Sequence, residues 1–282
     1  MSAQPDQPCE LDRLLDLLAG GGVVVLSGAG LSTESGIPDY RGPTGLARGA
    51  TPMTYQVFTR DADARRRYWA RSHVGWPQIG AATPNAGHRA VAGLQAFGLL
   101  SGVVTQNVDG LHQAAGARDV VELHGSLHRV VCLDCGALTP RQQLDVRLGA
   151  ANVGWRAGPG ASKPDGDVEL AEAEVERFVV APCSACGGVL KPDVVFFGEP
   201  VPADRVERCF ALVAGARGLL VLGSSLTVMS GHRFVLRAAK LGLPVAVVND
   251  GPTRGDAHAS IRLHDRLGAV LPELLERLGN DQ

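Results

Sequence analysis

Four short blocks of this chain carry residues with chemical use, in a fixed order. Ser27-Gly28-Ala29-Gly30-Leu31-Ser32 places two glycines where bare backbone can approach a phosphate. Gly36-Ile37-Pro38-Asp39-Tyr40-Arg41 carries a carboxylate and a guanidinium, and Pro38 keeps Ile37 out of helix. Thr105-Gln106-Asn107-Val108-Asp109-Gly110-Leu111-His112 supplies side-chain amides and a carboxylate. His124-Gly125 supplies an imidazole, which titrates near neutrality and suits a general base. Downstream lie two Cys-x-x-Cys pairs, Cys132/Cys135 and Cys183/Cys186.

Each block alone has a bland reading. Gly28-Ala29-Gly30 lacks the third glycine of the dinucleotide fingerprint: position 33 is Thr, and the next glycine is Gly36. No acidic residue follows a second strand at the usual distance of about 20 residues. An ordinary dehydrogenase site is disfavoured, and a tight turn without ligand stays open. Asn and Asp in a turn are commonly structural, and a lone histidine is commonly a surface or core residue. The cysteines are the stronger signal, because two Cys-x-x-Cys pairs match tetrahedral zinc. The 47 residues between Cys135 and Cys183 exceed the common spacing, yet loop closure cost grows only slowly with length. Four thiolates close the coordination sphere, so the zinc is expected to be structural. Unbound thiols or a redox pair are the alternatives.

The elements that must hold these blocks follow from periodicity. Leu11, Leu14, Leu15 and Leu18 mark an amphipathic helix over residues 10–19, ended by Gly20-Gly21-Gly22. Val23-Val24-Val25-Leu26 reads as a parallel strand buried on both faces. Thr83-Pro84 is expected to cap and start a helix through about Phe97. Strands are expected at Ser101–Thr105, Leu219–Leu222 and Pro244–Val248, the last two ending in Gly223-Ser224-Ser225 and Asn249-Asp250-Gly251. Helices are expected from about Gly231 to Leu241 and over residues 269–278. Functional residues at strand C-terminal ends make this an α/β protein with a doubly wound, Rossmann-like parallel sheet. Residues 1–127 and 193–282 would form the large domain, with a helical and loop insert at about 42–82. Residues 128–192, rich in Gly, Pro and Asp from Gly158 to Glu176, would form an inserted zinc-binding module.

Composition bounds the function. The 282 residues are 45% hydrophobic, and 27 basic against 29 acidic side chains leave a formal charge of −2. That balance argues against direct nucleic-acid binding, including a zinc-ribbon reader. Only Lys163, Lys191 and Lys240 are lysines, so the positive charge is nearly all arginine. No apolar run approaches the roughly 18 residues that span a bilayer. The stretch from Met1 to Glu10 is polar and lacks a basic residue, unlike a secretory or mitochondrial leader. A cytoplasmic location is expected, where cysteine pairs read as metal ligands rather than disulfides; Cys9 and Cys209 are left over.

Together in one reading frame, these blocks resemble the sirtuins, the NAD-dependent protein deacylases. The resemblance covers residues 10 to about 278. It implies that Gly28, Ala29, Gly30 and Ser32 cradle NAD, and that Ile37 and Asp39 hold the nicotinamide amide in a loop with Tyr40 and Arg41. The family more often has Phe at Tyr40. Gln106, Asn107, Val108 and Asp109 would bind the nicotinamide ribose and the departing nicotinamide, with Asn107 counted as catalytic beside the base His124. Gly223, Ser224, Ser225, Asn249, Asp250, Gly251 and Leu267 would contact the adenosine half. Ser224 stands where the family usually has Thr and Leu267 where it often has Cys; only a backbone contact survives the second change. Lys191-Pro192-Asp193-Val194-Val195-Phe196-Phe197-Gly198-Glu199 resembles the segment that pairs with the substrate peptide.

Arg67-Tyr68-Trp69-Ala70-Arg71, Val74-Gly75-Trp76-Pro77, Cys132-Leu133-Asp134-Cys135-Gly136, Pro164-Asp165-Gly166-Asp167-Val168 and Gly251-Pro252-Thr253-Arg254 are similar to the class II branch. Its animal member is a mitochondrial lipoamidase and ADP-ribosyltransferase type, and the branch is linked to branched acidic acyl groups. Tyr68 and Arg71 match the spacing of a Tyr-x-x-Arg pair that binds an acyl carboxylate in desuccinylating sirtuins. The mechanism the resemblance implies consumes NAD as a co-substrate. The acyl oxygen displaces nicotinamide; His124 then activates a ribose hydroxyl, which attacks the resulting imidate, and water completes the release of lysine and O-acyl-ADP-ribose. The partners would be acyl-lysine proteins. The alternative is mono-ADP-ribosyl transfer from the same NAD site.

Overall fold

Val23 to Leu26 shows no polar alternation, so a strand built from it must be covered on both faces. In the computed structural model, which describes residues 9–39, 52–157 and 170–280, it forms β1 (Val23–Ser27), buried at every residue. Its neighbours are β2 (Leu100–Thr105) on one side and β7 (Gly218–Leu222) on the other, both parallel. β3 (Val121–Glu122) extends the β2 side. β8 (Val245–Val248) and β9 (Ile261–Leu263) extend the β7 side. The six-stranded order is β3-β2-β1-β7-β8-β9. Its direction of growth reverses between β1 and β7, which opens a crevice at the strands' C-terminal ends.

Alternate residues of β1 feed two cores. Val23 and Val25 pack with Leu14 and Leu18 of helix Glu10–Ala19, Leu94 of helix Ala86–Ala96 and Leu274 of helix Leu267–Gly279. Val24 and Leu26 pack with Val213 of helix Ala203–Ala214 and Phe234 of helix Met229–Lys240. Two helix starts differ from the sequence reading. The helix expected from Thr83-Pro84 begins at Ala86, because Asn85 is the N-cap: its side chain accepts from the His88 amide at 3.2 Å. An Asx side chain satisfies an orphan amide that a proline ring cannot. The helix expected from Gly231 begins at Met229, which brings Ser230 into its first turn.

Directly after β1 the chain makes two short 3-10 turns, Ala29–Leu31 and Thr33–Ser35, rather than an α-helix.

A second, antiparallel sheet has the order β5-β4-β6, with β4 at Gly125–Cys132, β5 at Leu138–Pro140 and β6 at Leu190–Val194. Its strands begin three residues before, and end two residues after, the span 128–192 read from the sequence. Helices Tyr55–Arg60 and Ala62–Gly80 share its core through Phe58, Tyr68 and Trp69, rather than packing on the large sheet. Trp69 donates its indole N–H to the Leu190 carbonyl at 3.1 Å. The Arg141 guanidinium lies 5.0 Å from the Trp76 ring and 5.6 Å from Trp69, a cation–π sandwich between helices.

The two sheets join at His124-Gly125. Gly125 has φ +82°, and a Cβ there would run into the Asp193 carbonyl. Only glycine permits this crossing, so Gly125 dictates where His124 points. Arg129 braces the junction, with Nε 2.9 Å from Asp193 and a terminal nitrogen 2.7 Å from Glu122. No helix among the described residues is long and apolar enough to cross a membrane.

Candidate active site

A cleft of about 1000 Å³ lies over the C-terminal ends of β1, β2, β7 and β8, walled on its far side by Leu127 of β4 and by Val194 to Phe197 at the end of β6. All the residues expected from the sequence to bind NAD or act in catalysis line this one cavity, apart from three. Tyr40 and Arg41 lie outside the described residues, as does Pro164–Val168. Gly251 does not line the cleft. It has φ +103°, and its carbonyl accepts from the Asn249 amide at 2.9 Å, so it shapes the turn that presents Asn249.

The glycines after β1 have a different immediate cause from the one expected. A Cβ at Gly28 would meet the Ser224 Cβ at 2.7 Å, and one at Gly30 would meet the Gly223 Cα at 2.9 Å. They let two strand-end turns touch backbone to backbone, with Gly30 N–H donating to the Gly223 carbonyl at 2.9 Å. The resulting rim is bare main chain, which is still a cradle for a diphosphate.

Asn107 and Asp109 belong to one polar chain. The Asn107 amide donates to the Gly28 carbonyl and to Ser32 Oγ, each at 3.0 Å. The Ser32 hydroxyl donates to Asp109 at 2.7 Å, and the Leu111 amide donates to the other carboxylate oxygen at 2.9 Å. Both Asn107 amide protons are thereby used, which leaves its Oδ1 as the atom to offer a ligand. Burial pushes the Asp109 carboxyl above its ordinary range, opposed by the Leu111 and Ser32 bonds. Gln106 bridges to the adenosine side, donating to Ser224 Oγ at 2.8 Å. Beneath this floor, His112 Nε2 is 2.8 Å from Ser27 Oγ, which donates to Thr105 Oγ1 at 2.9 Å.

His124 is half-buried on the cleft wall. Its Nδ1 is 2.9 Å from the Gln106 carbonyl, and its Nε2 is 2.9 Å from Ser230 Oγ. A carbonyl only accepts, so Nδ1 carries the proton and Nε2 is the basic nitrogen in the neutral ring. Burial pushes the imidazole below the usual histidine pKa, and the nearby Arg233 and Arg205 add to that. A neutral ring with its lone pair on Nε2 is the state a base needs.

The four cysteine sulfurs lie within 4.8 Å of one another, with Cys132 to Cys186 at 3.5 Å and Cys135 to Cys183 at 3.9 Å. Tetrahedral zinc with bonds of about 2.3 Å needs sulfurs about 3.8 Å apart. The residues therefore fit the metal, and with all four positions taken it is structural. Cys9 caps the first helix, and Cys209 is buried, where desolvation pushes its thiol up to about 12.

Sequence reasoning missed several lining residues. Ser230 lies before the helix expected from about Gly231, which starts two residues earlier at Met229. Glu34, Asp265 and Arg266 also line the cleft, and Glu34 ties to helix Leu267–Gly279 by accepting from the Gly268 amide at 3.3 Å. Solvated charges of this kind carry no periodic signal. Tyr68 does not line the cleft. It is buried behind Phe196, ring centroids 5.3 Å apart, and also packs on Phe58 and Trp69.

The Sir2 family profile matches residues 28–230. NAD-dependent protein deacetylase 1 of Streptomyces coelicolor is 60% identical over 275 residues, covering 98% of this chain and 92% of that protein. The mitochondrial NAD-dependent protein lipoamidase sirtuin-4 of Bos taurus is 49% identical over 271 residues, covering 95% and 85%. Among solved structures, a Sir2 complex with p53 peptide and NAD+ superposes with a TM-score of 0.77 at 29% identity, covering 96% of this chain and 99% of that one. A structure reported for the mechanism and regulation of Sir2 enzymes superposes at 0.76 with 30% identity, covering 97% and 99%. A profile match through both sheets and a relative 60% identical over nearly its whole length make the assignment plain: the chain belongs to the Sir2 family.

Proposed function

We propose that this protein is an NAD-dependent protein-lysine deacylase, working in the cytoplasm on acyl-lysine side chains of protein substrates. The observation that carries the reading is His124: its Nδ1 is tied to the Gln106 carbonyl, and its basic Nε2 opens onto the same cleft as the glycine turn. Bound NAD supplies a ribose whose nicotinamide can leave and whose hydroxyls can accept the acyl group. The Gly28–Gly30 and Gly223–Ser225 turns hold its diphosphate side; Asn249, Asp250 and Leu267 meet the adenosine. Asn107 offers Oδ1 to the nicotinamide ribose, and Asp109, kept in place by Ser32, faces the nicotinamide side with Ile37 and Asp39. His124 Nε2 takes the proton of a ribose hydroxyl.

The acyl-lysine segment enters along the end of β6, where Val194 to Phe197 line the wall. Among the described residues no strand covers the outer edge of β6, so an extended peptide can add there by backbone bonds. Four clustered thiols support a reducing compartment.

The test is mass spectrometry of acetyl-, succinyl-, glutaryl-, methylglutaryl-, lipoyl- and long-chain acyl-lysine peptides, each with and without NAD. NAD-dependent loss of an acyl group with O-acyl-ADP-ribose formed is the expected outcome, and the group lost fixes the acyl preference. No deacylation, with nicotinamide released only when a protein acceptor is present, moves the reading to mono-ADP-ribosyl transfer. His124→Tyr is expected to abolish deacylation with zinc content intact; retained turnover overturns the assignment of the base.

A further inference from the structure

The base does not stand alone. Helix Met229–Lys240 approaches it with its first turn, where Gly231 lies against Gln106. A Cβ at Gly231 would lie 2.5 Å from Gln106 Oε1, so the turn packs directly on the Gln106 side chain. The Gln106 carbonyl in turn accepts a hydrogen bond from His124 Nδ1–H. The residue before this glycine, Ser230, lines the cleft and sets its hydroxyl 2.9 Å from His124 Nε2. The imidazole is therefore held at both nitrogens, by main chain behind and by a hydroxyl in front. One tether leaves a ring free to swing on its Cβ–Cγ bond; two on opposite edges fix its tilt as well as its tautomer.

We propose that Ser230 is the positioning residue for the base: its hydroxyl holds His124 Nε2 toward the cleft until a substrate hydroxyl takes over the same nitrogen. This rests on the reading of His124 as the base. The charged groups facing the ring are Arg233 on the same helix and Arg205 on helix Ala203–Ala214. Arg205 is occupied with Asp193 at 3.3 Å, so neither carboxylate at the junction, Glu122 or Asp193, is free to replace Ser230.

A step that precedes the base should not feel the loss of its positioner. Release of nicotinamide needs no proton removed by His124, whereas acyl transfer does. The experiment compares wild type, Ser230→Ala and Ser230→Thr in three readouts. Deacylation kcat is expected to fall roughly 5- to 10-fold in Ser230→Ala, the loss of one neutral hydrogen bond. Exchange of labelled nicotinamide into NAD and the KM for acyl peptide are expected to stay within about twofold, since one lost bond acts only where it forms. Ser230→Thr keeps a hydroxyl and is expected to restore kcat. The third readout needs neither NAD nor turnover: in ¹⁵N-histidine spectra, the His124 Nε2 signal is expected to move to that of a free acceptor nitrogen in Ser230→Ala while Nδ1 stays protonated. An unmoved Nε2 signal overturns the proposal, as does exchange that falls in step with deacylation, or a threonine that fails to rescue. A wild-type chain that deacylates none of the peptides sinks the reading of function; the Nε2 signal then decides the hydrogen bond by itself.

Discussion

At the scale of single residues, the polar groups under the cleft trade solvation for order. Asn107, Ser32 and Asp109 satisfy one another in sequence, so the ligand-facing atoms are placed before any ligand arrives. Two histidines below them have a thermodynamic consequence. His88 and His112 are 0% and 1% exposed, their rings 5.2 Å apart. Burial holds them at pKa values of about 3 and about 4. Their folded pKa lies below the unfolded value of about 6.5, so below that pH the unfolded chain binds protons that the folded chain refuses. Stability is therefore expected to hold above pH 6.5 and to fall as pH drops toward 4. The slope is about 1.4 kcal/mol per pH unit for each histidine. Denaturant unfolding between pH 7.5 and 5 measures it, and a flat profile through that range overturns the prediction. The same burial sign at His124 places the acid limb of activity below the ordinary histidine pKa.

At the scale of elements, the cysteine clip decides whether β4 and β6 stay paired. Cys132 is the last residue of β4, and Cys183 and Cys186 precede the first residue of β6, Leu190. A metal at the four sulfurs closes the open end of that hairpin-like pair, whose other end forms the cleft wall at Val194. One zinc per chain is expected by metal analysis. Its removal by a chelator is expected to lower the unfolding temperature and to weaken peptide binding, because apo thiols cannot replace four metal bonds. A chelated chain with unchanged melting would contradict a structural role. The loop from Cys135 to Cys183 closes cheaply enough to hold helix Arg141–Ala151 within it. That helix is locked to helix Ala62–Gly80 through Arg141 on Trp76 and through His73 on Asp145 at 2.6 Å.

At the scale of the whole molecule, the cleft lies between the strand ends of the large sheet and the β4–β6 wall, which join at His124-Gly125. A ligand lying along it touches β1, β2, β7 and β8 turns and the β4–β6 wall at once, so it should stabilise the fold as a unit. NAD at about a hundred times its Kd is expected to add about 2.7 kcal/mol to unfolding by mass action. The measurement is a thermal shift with and without NAD; no shift at any concentration would argue that the cleft does not bind it.

What could be read from the sequence was whatever rests on residue type and short spacing. The buried run Val23–Leu26, the leucine stripe of residues 10–19, the two Cys-x-x-Cys pairs and the polar blocks ending each strand all carry local signals that no distant contact can reverse. Those signals placed nearly every expected lining residue in one cavity. The tertiary structure alone decided three things. It put Gly28 and Gly30 against Gly223 and Ser224, a backbone-to-backbone contact between segments about 195 residues apart. It put Tyr68 behind Phe196, where its ring packs among Phe58, Trp69 and Phe196 in the second core. It put Ser230 on His124, since a single serine has no periodicity and only the start of helix Met229–Lys240 brings it there. Local chemistry is written in neighbouring residues, whereas the partner of each side chain is set by which surfaces the folded chain brings together.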